Sequence, residues 1–315
     1  MSVLSKILYK LKPIYQIYTG LALSLTSRFP LGMNVYDRDW DVLILLDTCR
    51  VDALRQVSPN YDFLSNIGSI YSIGSTSSEW IAQTFSHEYS EEISNTAYIS
   101  GNGWAEEIIE NRVTPEDHGN SKLSFSDWTI AEPEDFLFLD QAWRYEPEPR
   151  FEHGLGHPKP RYVTDRALLA MEKYNPDRLI IHYSQPHSPY TSKAIEEERD
   201  LRRYERSPFE YLQSGGNRDV VWDTYIDHLK YVLDDVELLL DNMDAEEVMI
   251  SADHGEAFGE WGIYGHGHML LHPHVRKVPW ARTSATDSGE YEPSVTDNLS
   301  QEASVTEQLE ALGYK

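Results

Sequence analysis

The chain has 315 residues, and 27 Lys plus Arg set against 52 Asp plus Glu give a formal net charge of −25. That balance repels a phosphate backbone and excludes nucleic acid as the expected partner, while 40% hydrophobic residues, with 8 Trp and 20 Tyr, exclude general disorder. The single Cys49 excludes a disulfide framework and a CxxC zinc pair. Excess acid spread over the whole chain is the composition of proteins that stay dissolved in concentrated salt, where repulsion is screened.

Residues 1–32 form a separate zone: they hold Lys6, Lys10, Lys12 and Arg28 with no acid, which leaves 23 − 52 = −29 for residues 33–315. Leu4, Ile7, Leu8, Leu11, Ile14, Tyr18 and Leu21 fall near one helical face, with Pro13 expected to interrupt or start the helix. The uncharged run 13–27 is too short and too polar to span a bilayer and lacks a secretory cleavage pattern. Two readings stay open: a helix packed on its own domain, or a basic helix lying on an anionic membrane through residues 1–28. The expected location is cytoplasmic, with any membrane contact peripheral at the inner surface.

After Gly32, the run WDVLILLD reads as a central parallel strand buried on both faces, with Asp47 at its C-terminal end. A helix follows over 48–57, and strand, acid, helix is the order of an open α/β sheet, which binds ligands at such strand ends. A second strand over 68–73 leads into the hydroxyl-rich loop 74–78 and a helix over 79–85, and 95–102 reads as strand and turn. Residues 111–160, rich in acid, Pro and aromatics, read as loops and short elements. A helix over 161–174 precedes the strand RLIIHYS, which runs into Gln185-Pro186-His187-Ser188-Pro189-Tyr190. A long helix over 220–243 and a strand ending in Asp253-His254 follow. Residues 283–303 read as a Ser/Thr/Glu linker and 305–312 as a short closing helix. The expected organisation is therefore an N-terminal segment 1–32, an α/β domain 33–282, and an acidic linker with its helix over 283–315.

Three strand ends thus present Asp47, His187 and Asp253-His254, alongside the Thr76 loop and the turn Gly265-His266-Gly267-His268. Two carboxylates and an imidazole suit a divalent Mn²⁺, Mg²⁺, Ca²⁺ or Zn²⁺ ion. A hydroxyl completing that sphere would become a nucleophile at neutral pH. Asp47 could instead cap the next helix, Thr76 has Ser75, Ser77 and Ser78 as rival hydroxyls, and Arg50 could simply pair with Asp52.

At these residues the sequence resembles the alkaline phosphatase and sulfatase superfamily. VLILLDTCRVDAL (42–54) is similar to its opening strand, MISADHGEAFGEWGIYGHG (249–267) to its most specific motif, HYSQPHSPY (182–190) to its PHxPY loop, and HGHMLLHPHVRKVPW (266–280) to its HGxxLY…RVP stretch. LEALGYK resembles its terminal helix. The resemblance implies an α/β three-layer sandwich with a mostly parallel mixed sheet. It implies metal binding by Asp47, Asp253, His254 and Thr76, ester contact or support of a second ion by His187 and His266, and substrate contacts from Arg50 and His268. The sequence departs at the sulfatase CxPSR block: Thr76-Ser77-Ser78-Glu79-Trp80 holds neither the convertible Cys nor the Arg. The resemblance then favours a Thr76 nucleophile and an anionic phosphate mono- or diester of a lipid headgroup or glycan, by hydrolysis or transfer. Alternatives are a sulfatase and a non-catalytic anion- or glycan-binding protein.

Overall fold

The computed structural model describes residues 3–146 and 157–295, with side chains from residue 12 onward. Its centre is the apolar run already singled out. Strand β1 (Val42–Leu46) has every residue buried, because no side chain in it can satisfy a water-facing surface. Strands β2 (Gly68–Tyr71), β3 (Thr96–Ser100), β4 (Phe138–Asp140), β5 (Arg178–Tyr183) and β6 (Ala245–Ser251) join it. With β9 (Lys277–Ala285) they form a seven-stranded sheet of order β2-β9-β6-β1-β5-β3-β4. Ile44 lies opposite Ile181 on one side and Ile250 on the other, both in parallel register. Only β9 runs against the rest. A small ribbon of β7 (Ala257–Phe258) and β8 (Tyr264–Gly265) stands apart.

Alternation along β1 builds two cores, since successive side chains point to opposite faces. Val42, Ile44 and Leu46 pack with Val232 and Val236 of the long helix Arg218–Leu240, whereas Leu43 and Leu45 pack with Trp80, Ile81 and Phe85. Each such fully buried aliphatic side chain contributes about 1.5–3 kcal/mol of transfer free energy. Two packed faces on one sheet make three layers, the expected fold class. They also leave the C-terminal ends of β1, β3, β5 and β6 together along one edge.

Helix α1 spans Val3–Thr26 and runs through Pro13, so the expected interruption there does not occur. Proline removes one backbone donor, and the following turns are held from outside. Tyr15 Oη donates to the His268 carbonyl (2.7 Å), Tyr18 Oη to the Met269 carbonyl (2.8 Å), and Lys122 N to the Gln16 carbonyl (2.9 Å). A Cβ on Gly20 would lie 2.0 Å from the Lys122 carbonyl oxygen, so only glycine permits this approach.

Other differences have local causes. Helix α2 covers Val51–Val57. Helix α3 covers Ser77–Thr84, beginning two residues before Glu79, because Thr76 caps it. Strand β4 is one of the short elements of the stretch read as loops and short elements; three residues carry too little periodicity to announce it as a strand. Strand β9 extends to Ala285, into the stretch read as a linker. Its polar tail Arg282-Thr283-Ser284 is held by backbone pairing to β6, which side-chain polarity does not reveal. The closing helix expected over 305–312 lies outside the described residues.

Candidate metal and active site

Asp47 leaves β1 at a turn whose next residue, Thr48, has φ 65°, a left-handed conformation costly for a β-branched residue. The turn is locked from both sides: Tyr225 Oη donates to the Thr48 carbonyl (3.0 Å) and accepts from Arg50 N (3.0 Å). Asp253 and His254 follow β6 in the same way, so parallel neighbours β1 and β6 deliver their polar residues to one point. One ligand atom each from Asp47, Asp253 and His254 lies within 4.8 Å of the others, and all three residues are buried. His254 Nε2 is 3.7 Å from Asp47 Oδ1 and 3.5 Å from Asp253 Oδ2.

The electrostatics of this cluster call for a cation. Asp47 Oδ1 and Asp253 Oδ2 are buried without a hydrogen-bond donor, an arrangement that costs several kcal/mol per group unless compensated. Burial, then the negative charges of Asp253 and Glu256, push the Asp47 carboxyl well above its usual range, against the Asn102 amide. Burial also acts upward on Asp253, but His254 and His182, with the Ser77 hydroxyl, hold it well below that range. Two carboxylate oxygens and an imidazole nitrogen facing one small space fit a divalent ion of the hard or borderline kind.

The hydroxyl at this cluster is that of Ser77. Its Oγ is 3.4 Å from His254 Nε2, and the Asn102 amide donates to both Ser77 Oγ (3.1 Å) and Asp47 Oδ2 (2.9 Å). Thr76 is otherwise employed: its Oγ1 accepts from Glu79 N (3.3 Å) as the N-cap of α3 and pairs with Ser78 Oγ at 3.0 Å. Of the loop hydroxyls, it is thus Ser77 rather than the expected Thr76 that lies against His254 and Asn102. The physical reason is that the N-cap side chain turns back over the first turn, so the next residue faces outward along the helix axis.

His187 and His266 reach the same place from different loops. Their rings lie 5.3 Å apart, and His266 is 4.4 Å from the His254 ring. Burial first, then His266, brings His187 down to about 4; burial, then His254, brings His266 down to about 3. Both are therefore neutral near pH 7. Glu256, pushed up to about 7 by burial against the pull of His187 and His254, lies with Oε2 3.7 Å from His266 Nδ1 and accepts from Tyr190 Oη (3.3 Å).

Two residues expected to contact substrate are engaged by internal partners. Arg50 is buried, and its Nε and Nη2 donate to Asp52 (2.9 and 2.6 Å), its Nη1 to Glu260 (2.9 Å) and the Glu256 carbonyl (3.3 Å), and Nη2 also meets His274 Nδ1 (3.1 Å). No N–H of the fork remains for an ester. Burial acts upward on Glu260, yet Arg50 holds it at about 2. Replacing Arg50 by Met is expected to cost about 3 kcal/mol, the effect of leaving a buried ion network without its cation, with metal content unchanged. A small loss of stability in urea unfolding together with a raised KM would restore the substrate role. His268 is also committed inward: Nδ1 meets Glu79 Oε1 (3.2 Å) and Nε2 meets His118 Nδ1 (3.1 Å). Glu79 in turn accepts from Ser75 N (2.9 Å) and Met269 N (2.7 Å), tying the hydroxyl loop to the His266–His268 turn. His272 is buried and caps a short turn, its Nδ1 accepting from His274 N (3.2 Å).

Three further side chains of the site were not singled out in the sequence. His182 is fully buried in β5, with Nε2 3.6 Å from Asp253 Oδ2 and Nδ1 3.0 Å from Tyr98 Oη. A histidine inside the apolar run LIIHY was the available signal. Asn102 stands two residues beyond the end of β3, and Glu79 occupies the place that looked atypical for the motif. Cys49 is buried, and burial pushes its thiol up, away from any nucleophilic role.

This is the alkaline phosphatase-like α/β fold, with the cluster at the carboxyl edge of its sheet. Among solved structures, the chain is similar to the soluble domain of lipooligosaccharide phosphoethanolamine transferase A from Neisseria meningitidis. The two share 14% identity at TM-score 0.50, over 78% of this chain and 76% of that one. It also resembles the periplasmic domain of a phosphoethanolamine transferase from Campylobacter jejuni (16% identity, TM-score 0.41, 77% and 78% covered). A third is a protein of the alkaline phosphatase superfamily from Vibrio parahaemolyticus (13% identity, TM-score 0.38, 89% and 72% covered). No protein-family model matches the chain, and no curated protein matches it. These likenesses concern the fold; the chemistry rests on the residues.

Proposed function

We propose that this protein cleaves or transfers a phosphate ester, with Ser77 as the nucleophile and a divalent cation held by Asp47, Asp253 and His254. The observation that carries the reading is the Ser77 hydroxyl 3.4 Å from His254 Nε2, beside two buried carboxylate oxygens without donors. A cation bound there would lower the pKa of the hydroxyl and neutralise charge on the ester. Ser77 is also the first residue of α3, where backbone N–H groups and the helix dipole favour an anionic group. The similarity in fold to a phosphoethanolamine transferase is compatible with this class of chemistry.

Asn102 orients Ser77 Oγ and Asp47 through its two amide N–H groups. Ser77 Oγ loses its proton to solvent and attacks phosphorus, the Oγ–P bond forms, and the bond to the leaving oxygen breaks, that oxygen taking a proton from solvent. Neutral His187 and His266 stand beside His254. Either can accept the proton of the water or second hydroxyl that attacks the phosphoserine and releases Ser77.

The test is elemental analysis of protein purified without chelator, combined with turnover of p-nitrophenyl phosphate, bis-p-nitrophenyl phosphate and p-nitrophenyl sulfate in high salt. The expected outcome is a co-purifying divalent metal and turnover of a phosphate substrate that chelation abolishes and metal restores. Turnover of sulfate alone would assign a sulfatase. Neither metal nor turnover would leave a binding protein.

A further inference from the structure

Helix α1 keeps an apolar stripe on its outer side. The side facing the domain carries Thr19, Gly20, Leu23 and Thr26, together with the hydrogen bonds made by the Tyr15 and Tyr18 hydroxyls. The opposite side carries Ile14 (62% exposed), Leu21 (50%) and Leu25 (59%), with Ile17 at its margin (38%). At 100° per residue these apolar positions fall on one stripe. The domain adds to it. Phe125 N donates to Ser24 Oγ (2.7 Å) and Asp127 N to Ser27 Oγ (3.0 Å), pinning the 122–127 loop against α1 with Leu123 (57%) and Phe125 (68%) exposed. A helix that exposes an aliphatic stripe, extended by two more apolar side chains of the adjoining loop, is ordered for an apolar medium outside it.

We infer that this face docks on an anionic lipid surface and holds the turn 266–268 close to it. Charge selects lipid: residues 1–32 carry four cations and no acid, on a body whose remaining net charge is 23 − 52 = −29 and which an anionic bilayer would otherwise repel. Shape agrees, since the stripe is the convex side of a helix rather than a groove. Among the described residues no helix is long and apolar enough to cross a membrane, so the contact lies in the interface plane. Its placement has a chemical consequence that rests on the phosphoester reading. Tyr15 Oη touches the turn that carries His266, lying 3.2 Å from where a Gly267 Cβ would stand. A bilayer against the far side of α1 is then about one helix diameter, ~10 Å, from that turn. An ester on a lipid headgroup reaches the site without leaving the membrane.

The test is cosedimentation of the full chain with phosphatidylglycerol-containing and pure phosphatidylcholine vesicles, for wild type, Leu21→Glu/Leu25→Glu and Phe125→Ser. Wild type is expected to bind the anionic vesicles more strongly, and the double variant to lose about tenfold or more in partitioning. Phe125→Ser should lose less, and turnover of a water-soluble ester should stay unchanged in both. Absence of wild-type binding, or equal binding by all three proteins, overturns the inference. So does a wild-type dimer in light scattering that the double variant dissociates, which would assign the face to a second copy. Vesicle binding by a wild type that turns over no ester would overturn the proposed function and leave the docking surface standing.

Discussion

Ser77→Ala is expected to lower kcat by ~10³-fold or more while the protein remains folded, because it removes the hydroxyl proposed to bond phosphorus. Thr76→Ala is the informative contrast. Its hydroxyl caps α3 and faces Ser78, so its loss is expected to cost about 1 kcal/mol of stability and to leave turnover within about tenfold of wild type. Steady-state kinetics on a p-nitrophenyl ester, with urea unfolding of both variants, separates the two. An inactive Thr76→Ala beside an active Ser77→Ala would return the nucleophile to Thr76. Trapped phosphoprotein digested to peptides would place the phosphate on residue 77 directly.

The second large effect concerns the paired carboxylates, and its sign should depend on the metal. Asp253→Asn is expected to lose metal in elemental analysis and with it about 10³-fold or more of activity, since Asp253 is the carboxylate that His254 and His182 hold ionised. Asp47→Asn should also lose activity, yet in chelator it should stabilise the protein by about 1–2 kcal/mol, because it removes one of two buried like charges. With saturating metal the order reverses, as the wild type then gains binding free energy that the variant lacks. Thermal unfolding with and without chelator reads both states. A destabilised Asp47→Asn in chelator would mean that the Asn102 contact outweighs the repulsion from Asp253 and Glu256.

The acidic pair was legible in the sequence because each member ends an apolar run: WDVLILLD and VMISADH leave little choice but buried strands, and a charged residue at the end of such a strand requires a partner. The same logic located His187. It does not separate the hydroxyls of the loop, where Thr76, Ser77 and Ser78 are chemically near-equivalent in a list. Only the path of the backbone into α3 decides which becomes the cap and which faces the cluster. The Arg50–Asp52 pair was open to the sequence, being two residues apart, but Glu260 lies 210 residues from Arg50 and Glu79 lies 189 from His268, so those partners were not.

By itself, then, the sequence determined the period-two and 3.6-residue patterns, hence the buried parallel strands, the order of elements and the strand ends at which chemistry collects. These are local properties, set by side-chain polarity and backbone sterics within a few residues. Tertiary structure decided the rest. It set Ser77 against His254, held Arg50 and His268 in internal pairs, and brought in Asn102 and His182 from strands that meet only in the sheet. It also turned Thr19, Leu23 and Thr26 of α1 inward, leaving Leu21 and Leu25 exposed. Each of these is a contact between residues far apart in the chain, and such contacts exist only once the sheet has closed and burial has fixed which charges must pair.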